Sequence, residues 1–420
     1  MNSWLLFILI ILLGNYLLEQ VLSSLNIKAL DSELPVEFKD VFDAEEYKKS
    51  QDYTRVTTRF GMLESTFSIV VLLTFLLMGG FNTVDIFIRS FQLGPVLSGV
   101  FYIALLLLGS SILSLPFTLY STFRIEERFG FNNTTLKTFC VDLIKGLLLS
   151  ILIGFPVLYL VLWFFESTGE LAWLYCWGGL TLITFLLQFL APVLIMPLFN
   201  KFTPLEEGTL KEKVLAFAKK ASFSIQGIYT MDGSKRSSKL NAFFTGFGKF
   251  RKIVFYDTLL EKLDADEVVA VLAHEMGHYK RHHIFKMMAI STCYTGLLFY
   301  LLSLFIYNEG LFAAFQMEHL SIYGSLIFFS FIFSPLSLLL GIAVNILSRK
   351  HEFEADRYAA DSTGTAEYLI SGLKKLSVAN LSNLTPHPAM VFFHYSHPPI
   401  LERISVLRQY AVKDTLPEQQ

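Results

Sequence analysis

Seven long apolar stretches constrain this chain more than any other feature of its sequence. Each approaches the roughly 20 mainly apolar residues that a helix needs to cross a bilayer. They lie at approximately Trp4–Val21, Leu63–Phe81, Leu97–Leu119, Leu147–Phe165, Leu171–Phe189, Ile284–Ile306 and Ile322–Leu347. The fifth can continue to Pro192 and Pro197, which should end or kink it. Because a chain in lipid must satisfy its own backbone hydrogen bonds, we predict a mainly α membrane protein with seven transmembrane helices.

The composition agrees with a membrane protein and excludes some other classes. Apolar residues make up 53% of the 420 and charged residues only 17%, whereas soluble domains carry about 25% charged residues. The net charge of −2 gives no basic patch, so nucleic acid is not an expected partner. Three scattered cysteines form no CxxC pair and no disulfide framework, and none is expected to bind metal; they are Cys140, Cys176 and Cys293.

The first apolar stretch allows two interpretations. Asn15, Glu19 and Gln20 interrupt it, so a cleaved signal peptide competes with a membrane span. No basic segment precedes the stretch and no A-x-A-like cleavage site follows it. We therefore favour an uncleaved span.

The distribution of basic residues predicts the orientation in the membrane. If the N-terminus faces outward, the outer loops are about Asn82–Val96, Glu166–Glu170 and Tyr307–Ser321, and their only basic residue is Arg89. Basic residues concentrate in cytoplasmic loops. We therefore expect a multi-pass protein with its N-terminus outside and its C-terminus in the cytosol.

This topology predicts four segments along the chain. Residues 1–199 form a membrane region with five spans, and residues 284–347 form a membrane hairpin. Segments 200–283 and 348–420 lie on the same cytosolic side and together hold roughly 155 residues, enough for one domain with its own core. The hairpin is inserted between the two halves of that domain.

The stretch "VLAHEMGHYK" (Val271–Lys280) carries the first chemical motif. Asp264 is a plausible N-cap, and Glu267 follows three residues later in the capping-box arrangement. A helix turns by about 100° per residue, so His274 and His278 fall on one face and can share a metal ion.

Neutral imidazoles bind Zn²⁺ at about 2.0–2.1 Å, and the ion lowers the pKa of a bound water toward about 7. Glu275 lies beside the same face, where it can polarise that water. Gly277 leaves space for a substrate or a neighbouring backbone. The motif alone also occurs on ordinary surface helices, and a catalytic zinc site needs a third protein ligand.

The stretch "SRKHEFEADRYAA" offers that third ligand. Glu352 and Asp356 stand at helical spacing, so Glu352 can complete a His₂Glu set. Asp356 can accept a hydrogen bond from a ligand imidazole and fix its tautomer. Glu354 points elsewhere and is not expected to be a ligand. The alternative is a solvated acidic face beside neighbouring basic residues.

Both motifs, separated by a membrane hairpin, resemble those of the M48 family of integral-membrane zinc metalloproteases, and within it the CAAX prenyl protease type 1 (Ste24-like) branch. The similarity extends along nearly the whole chain, whereas simpler HtpX-like members have fewer spans. Further segments that resemble this branch are Tyr47–Gly61, Ser121–Asn132, Asn200–Leu210, Ser237–Leu260 and His394–Ile404.

The resemblance implies roles for individual residues. It implies one Zn²⁺ per chain, Glu275 as the catalytic base, and Asp356 as the aspartate of the family's E-x-x-x-D motif. The implied zinc ligands are His274, His278 and Glu352. It also implies that the spans enclose a water-filled chamber capped by the zinc site.

The C-terminal "HPP…ER" element is implied to lie near the zinc. His397 could then stabilise an oxyanion, and Arg403 could orient the acidic ligand. The alternative for His397 is a structural histidine before a Pro-Pro turn. Other histidines lack motif support and are interpreted as interfacial or structural: His282, His283, His351, His387 and His394.

A possible substrate-binding edge precedes the zinc motif. Lys252–Tyr256 alternates like a short strand, and Asn241–Phe244 could form an edge strand beside it. Extended peptides commonly bind by adding to such an edge. The resemblance points to Asn241 and Ala242, with Phe243 next to them. An ordinary hairpin near the membrane is the alternative.

These observations predict a membrane zinc endopeptidase that uses a zinc-activated water. The implied substrates are C-terminal CAAX motifs with a prenylated cysteine, and the expected surroundings are the lipid bilayer of a bacterial inner membrane, or of the endoplasmic reticulum in a eukaryote. A monomer is the expected state.

Two alternatives stay open. One is a membrane quality-control protease without a prenyl requirement. The other is a non-enzymatic receptor or transporter with structural zinc, which would need a fourth protein ligand, most often cysteine. No cysteine lies near either motif.

Overall fold

The computed structural model describes residues 2–245 and 251–413. Within them, seven helical segments are long and apolar enough to cross a membrane, so the expected mainly α multi-pass architecture is confirmed. These segments are Ser3–Lys28, Ala44–Leu77, Pro95–Glu126, Leu136–Ser167, Gly169–Phe199, His283–Phe305 and Ile322–Thr363. Positions 414–420 of the predicted last segment lie outside the described residues.

Eight α-helices of the described chain precede residue 200, and all except the third belong to the first five spans. They are α1 (Ser3–Lys28), α2 (Ala44–Leu77), α3 (Gly80–Arg89), α4 (Pro95–Tyr120), α5 (Leu136–Leu149), α6 (Phe155–Ser167), α7 (Ala172–Leu190) and α8 (Met196–Phe199). A π-helical turn at Ala191–Ile195 joins α7 to α8. Pro192 lies in this turn, because proline has no N–H for the regular helical ladder. The fifth span therefore continues through the predicted kink to Phe199.

The second span differs from its predicted bounds. Its helix ends at Leu77, and Gly79 follows with φ of 69°. This left-handed conformation stops the helix. Phe81 consequently belongs to α3.

Asp85 lies in α3, between the second and third spans. The Asp85 side chain is fully buried in α3. It accepts hydrogen bonds from Arg89 Nε at 2.7 Å and from the hydroxyl of Tyr323. A buried carboxylate is stable when it is paired in this way.

A small sheet follows the fifth span. Its strands are β1 (Phe202–Pro204), β2 (Gly227–Met231), β3 (Ala242–Thr245) and β4 (Lys252–Tyr256), in the order β1-β2-β4-β3. β2 and β4 are parallel, and β3 pairs antiparallel with β4, with Ala242 opposite Phe255. The two predicted strands are therefore present, and β3 lies at the edge of the sheet.

The remaining helices surround this sheet and form the hairpin. They are α9 (Thr209–Lys220), α10 (Asp257–Leu260), α11 (Ala265–Lys280), α12 (His283–Phe305), α13 (Glu309–Ala314), α14 (Ile322–Thr363), α15 (Glu367–Ala379), α16 (Pro388–His394) and α17 (Ile400–Lys413). The predicted boundary between Leu347 and Ser348 falls inside α14. This one helix of 42 residues carries both the seventh span and the acidic motif.

The helix with the histidine motif begins as predicted. Asp264 accepts from the backbone N–H of Glu267 at 3.0 Å, and Glu267 accepts from the backbone N–H of Asp264 at 2.9 Å. The predicted capping box is thus confirmed, and it satisfies two otherwise free donors. Behind this cap, Val268, Leu272 and Met276 are buried in a core shared with α14, α15 and α17. This core fixes the face that carries the two histidines.

Candidate metal centre and catalytic site

Three predicted ligands converge between α11 and α14. The Nε2 atoms of His274 and His278 are 3.2 Å apart. Glu352 Oε1 lies 3.2 Å from His278 Nε2, and Glu352 Oε2 lies 3.5 Å from His274 Nε2. One helix supplies both imidazoles and the end of the seventh span supplies the carboxylate.

These distances fit a single zinc ion. Ligand atoms about 2.0–2.1 Å from a tetrahedral Zn²⁺ are separated from one another by about 3.3–3.4 Å. Oε2 of Glu352 is buried and makes no hydrogen bond with the described residues. The two imidazole nitrogens face each other, and the carboxylate beside them is buried. A cation bound by all three would stabilise this arrangement. The donor set therefore suits the metal that the sequence predicts.

Asp356 and Arg403 hold the first histidine from behind. Asp356 Oδ1 lies 2.8 Å from His274 Nδ1. Arg403 donates to both carboxylate oxygens of Asp356, at 2.8 and 2.6 Å. Its Nη1 also lies 3.5 Å from Glu352 Oε2. Both residues contact the metal-ligand set, as the sequence suggested.

The electrostatics of this buried group favour a charged guanidinium and a basic imidazole. Burial alone lowers the pKa of Arg403, but the charge and hydrogen bonds of Asp356 outweigh it and raise that pKa. Burial likewise lowers the pKa of His274, yet the hydrogen bond to Asp356 and the nearby carboxylate of Glu352 outweigh it and raise the pKa to about 9. When His274 binds a metal through Nε2, the hydrogen bond from its Nδ1 to Asp356 makes it a stronger ligand.

Gly277 allows the two ligand-bearing helices to approach closely. A Cβ atom at this position would lie 2.9 Å from the Cα of Ala355 and 3.1 Å from its carbonyl oxygen. The residue between the histidines therefore faces the backbone of α14. This contact is one of the two possibilities that the sequence left open.

Glu275 lines a cavity of about 680 Å³. His278 and the β3 residues Phe243, Phe244 and Thr245 border the same cavity. Glu275 and the edge strand therefore border the same cavity, next to the ligand set. Residues of α7 and α12, which belong to two of the spans, form another part of its wall: Thr181, Thr184, Phe185, Gln188, Met287, Met288, Ser291 and Thr295.

His397 lies at the ligand set, on its open side. Its Nε2 is 3.4 Å from Glu352 Oε1, while its side chain is 64% exposed. Its Nδ1 is 3.0 Å from the hydroxyl of Ser396. A solvent-facing imidazole beside the ligands is available to a substrate.

The edge strand presents alternate backbone groups away from the sheet. The N–H of Tyr256 donates to the carbonyl of Asn241 at 3.1 Å. Because bonded and non-bonded pairs alternate in an antiparallel ladder, the N–H and C=O of Ala242 and Phe244 face outward. Those of Phe243 face β4, and its side chain borders the cavity.

His283 contacts the metal ligand His278 from behind, and the sequence did not predict this contact. His283, interpreted as structural or interfacial, has its Nδ1 only 3.1 Å from Nδ1 of His278. Glu354, expected to point elsewhere, lies 3.0 Å from His283 Nε2. A histidine five residues after His278 is not at helical spacing, so the sequence contains no periodic signal for this contact.

Other histidines without motif support have local contacts. The side chain of His387 caps α16 by accepting from the backbone N–H of Ala389. His394 lies 3.1 Å from Glu19. His351 stacks on His283, and His282 occupies the left-handed turn between α11 and α12.

Comparison with known proteins agrees with this geometry. Residues 24–201 match the family described as CAAX prenyl protease N-terminal, five membrane helices, and residues 204–411 match peptidase family M48. The CAAX prenyl protease 1 of Saccharomyces cerevisiae is 33% identical over 407 residues, which cover 90% of this chain and 89% of the relative. A CAAX prenyl protease 1 homolog from Oryza sativa subsp. japonica is 39% identical over 318 residues, or 74% of this chain and 73% of the relative.

A solved structure extends the similarity to the fold. The crystal structure of S. mikatae Ste24p has a TM-score of 0.92 at 32% sequence identity, and the match covers 97% of this chain and 99% of that chain. These matches support a metalloendopeptidase that acts on peptide substrates, and they give no support to a receptor or transporter. The chain belongs to peptidase family M48 and is a multi-pass membrane metalloendopeptidase.

Proposed function

We propose that this protein is a zinc endopeptidase that cleaves peptide bonds near the C-termini of protein substrates. The observation that carries the proposal is the convergence of His274, His278 and Glu352 beside Glu275 and an edge strand. The three donor atoms lie within 4.8 Å of one another, and one Zn²⁺ per chain is expected there. A bound zinc ion supplies Lewis acidity and lowers the pKa of a water molecule.

Glu275 is proposed as the general base. Its carboxylate borders the cavity together with His278, so it can take a proton from a water held between it and the ligand set. It then returns this proton to the leaving amine. The partly exposed position of Glu275 allows the exchange with solvent that repeated turnover requires.

His397 is proposed to stabilise the oxyanion of the tetrahedral intermediate. A donor aimed at the developing charge contributes most when it is positioned in advance. The contact with Glu352 at 3.4 Å places this imidazole at the ligand set. Asp356 and Arg403 act as positioning residues, because they touch the ligands and not the substrate.

The substrate is proposed to bind as an extended strand beside β3. The outward C=O groups of Ala242 and Phe244 and the outward N–H of Phe244 can pair with its backbone. The side chain of Phe243 borders the cavity, whereas Asn241 Oδ1 accepts from the N–H of Ala242 at 2.9 Å and holds that donor in place. Such pairing would direct one peptide bond toward Glu275.

A prenylated C-terminal CAAX motif is the proposed substrate class. Relatives are named CAAX prenyl protease 1. Apolar side chains of α7 and α12, including Phe185, Met287 and Met288, line the cavity within the membrane part. An isoprenoid beside the cleaved bond could bury its apolar surface there. The competing possibility is cleavage of unprenylated membrane proteins in quality control.

The topology is proposed from the charge distribution. The N-terminus would lie outside and the metal centre and C-terminus in the cytosol, where CAAX proteins are synthesised. The chain would comprise 1–199, 200–283, 284–347 and 348–420 as predicted, and act as a monomer.

The Glu275→Gln variant tests the chemistry. It should bind zinc like the parental protein, since all three ligands remain, but lose hydrolysis because the base is gone. Peptide cleavage at the parental rate would refute the role of Glu275. Comparing a farnesylated CAAX peptide with its unprenylated twin, and identifying the cleaved bond, separates the two substrate classes.

A further inference from the structure

His283 lies behind the metal ligand His278 and is held on three sides. Its Nδ1 is 3.1 Å from Nδ1 of His278, and its Nε2 is 3.0 Å from Oε2 of Glu354. Its ring stacks on His351 with centroids 3.9 Å apart and planes 10° apart. The residue is only 2% exposed. Its ring orientation is therefore fixed by its neighbours.

A break in the helix makes this contact possible. On an uninterrupted helix, a residue five positions after His278 would lie about 140° around the axis. His282 adopts φ of 58°, which ends α11 and starts α12 at His283. The new helix direction turns the His283 ring back toward His278. The short turn between the two helices thus builds the contact.

The hydrogen bonds that link Glu354, His283 and His278 have one consistent direction. An ionised carboxylate only accepts, so Glu354 requires a proton on His283 Nε2. The Nδ1 of the neutral His283 ring then accepts, which requires a proton on His278 Nδ1. The Nε2 of His278 is left with its lone pair. That atom is the one that lies 3.2 Å from both His274 Nε2 and Glu352 Oε1.

We propose that His283 and Glu354 form a positioning pair that fixes the tautomer of His278 and thereby sets the affinity of the zinc site. The inference rests on the proposed zinc-binding role of His278. It gives the two histidine ligands different supports. His274 donates directly to the carboxylate of Asp356, whereas His278 donates to an imidazole whose far side is held by a carboxylate.

The test measures metal binding by the full-length protein in detergent, without peptide. Zinc is removed and titrated back against a chromophoric chelator, and the visible spectrum is recorded after Co²⁺ loading. His283→Phe keeps a ring that can stack on His351 but lacks the acceptor. We expect it to weaken zinc binding by about 10- to 100-fold, the range for lost support of a metal ligand, and to change the Co²⁺ spectrum.

His283→Asn separates the acceptor from the ring. Its side-chain oxygen can accept from His278 Nδ1, so its zinc affinity should be closer to the parental value than to that of His283→Phe. Glu354→Ala removes the outer carboxylate from a side chain that is 34% exposed. It should weaken zinc binding less than His283→Phe. His394→Phe is the matched control, because His394 pairs with Glu19 on α1 and should keep parental affinity.

Several outcomes would overturn the positioning role. Parental zinc affinity and an unchanged Co²⁺ spectrum in His283→Phe would do so. An equal loss in His283→Asn and His283→Phe would show that an acceptor at this position does not restore zinc binding, and would also overturn it. If His283→Phe does not fold, Glu354→Ala decides, and parental affinity in that variant overturns the inference. Failure of the parental protein to bind zinc would refute the proposed function instead.

Discussion

Substituting Gly277 with alanine should move the metal ligands on α11 and α14 apart without replacing any of them. The added Cβ would lie 2.9 Å from the Cα of Ala355, whereas carbon atoms pack best at about 3.5–4.0 Å. This nearest atom belongs to the backbone of α14, so it cannot rotate away as a side chain could. The two helices must separate by roughly 0.6–1.1 Å to restore normal contact.

This separation is large compared with what a metal site tolerates. Ligand distances in working sites stay within about 0.2 Å of their usual values. Because His278 lies next to Gly277 on α11 and Glu352 on α14, moving the helices apart lengthens the gap between an imidazole and the carboxylate. We expect zinc affinity to fall at least about tenfold, comparable to the loss of a support residue.

The effect on folding should be smaller. Overpacking costs about 1–3 kcal/mol, and replacing glycine by alanine inside a helix returns about 1 kcal/mol. The net loss is therefore about 0–2 kcal/mol. Thermal unfolding of the metal-free protein measures this loss of folding stability, and chelator competition measures zinc affinity.

Gly341→Ala is the matched control, since Gly341 lies on the partner helix α14 and a Cβ there meets nothing within 4 Å. It should keep parental zinc affinity. If Gly277→Ala bound zinc as tightly as the parental protein, the close approach of the helices would not govern the site and the reasoning would fail.

Further predictions concern the remaining parts of the site. Asp356→Asn should destabilise the fold by about 3–5 kcal/mol, because it leaves the buried Arg403 without its carboxylate; an unchanged unfolding midpoint would contradict this. His397→Ala should lower kcat by about 10²- to 10³-fold at unchanged zinc content, as for other oxyanion donors, and a parental kcat would exclude that role. Zinc removal by a chelator should abolish cleavage and lower the unfolding midpoint by mass action, and added Zn²⁺ should reverse both effects. N-methylation of a substrate peptide should raise KM at alternate positions only, because only N–H groups facing β3 can pair; equal effects at neighbouring positions would argue against strand addition.

Local periodicity accounts for the parts of the site that the sequence predicted. His274 and His278 are one turn apart, and so are Glu352 and Asp356, so each pair shares a helix face whatever the rest of the fold does. The capping box before α11 is equally local. The edge strand was predictable because alternation and a nearby second strand suffice to define it.

The features that the sequence missed depend on contacts between distant parts or on a single backbone angle. Asp85 is buried because Tyr323, 238 positions later, donates to it. His283 faces His278 only because His282 adopts a left-handed conformation, which a histidine adopts uncommonly. The change from apolar to charged residues after Leu347 resembled a domain boundary, yet the helix continues through it.

The continuity of α14 has a consequence for how the centre is assembled. Glu352 and Asp356 lie near the end of a helix whose earlier turns cross the membrane, and only two residues separate α11 from the span formed by α12. Both ligand-bearing helices are therefore direct extensions of one membrane hairpin. Their contact at Gly277 and Ala355 depends on how that hairpin packs, as well as on the core around α15 and α17. Joining segments 200–283 and 348–420 by a short linker would remove that constraint, so the zinc site should form poorly in such a chain even if its sheet and core fold.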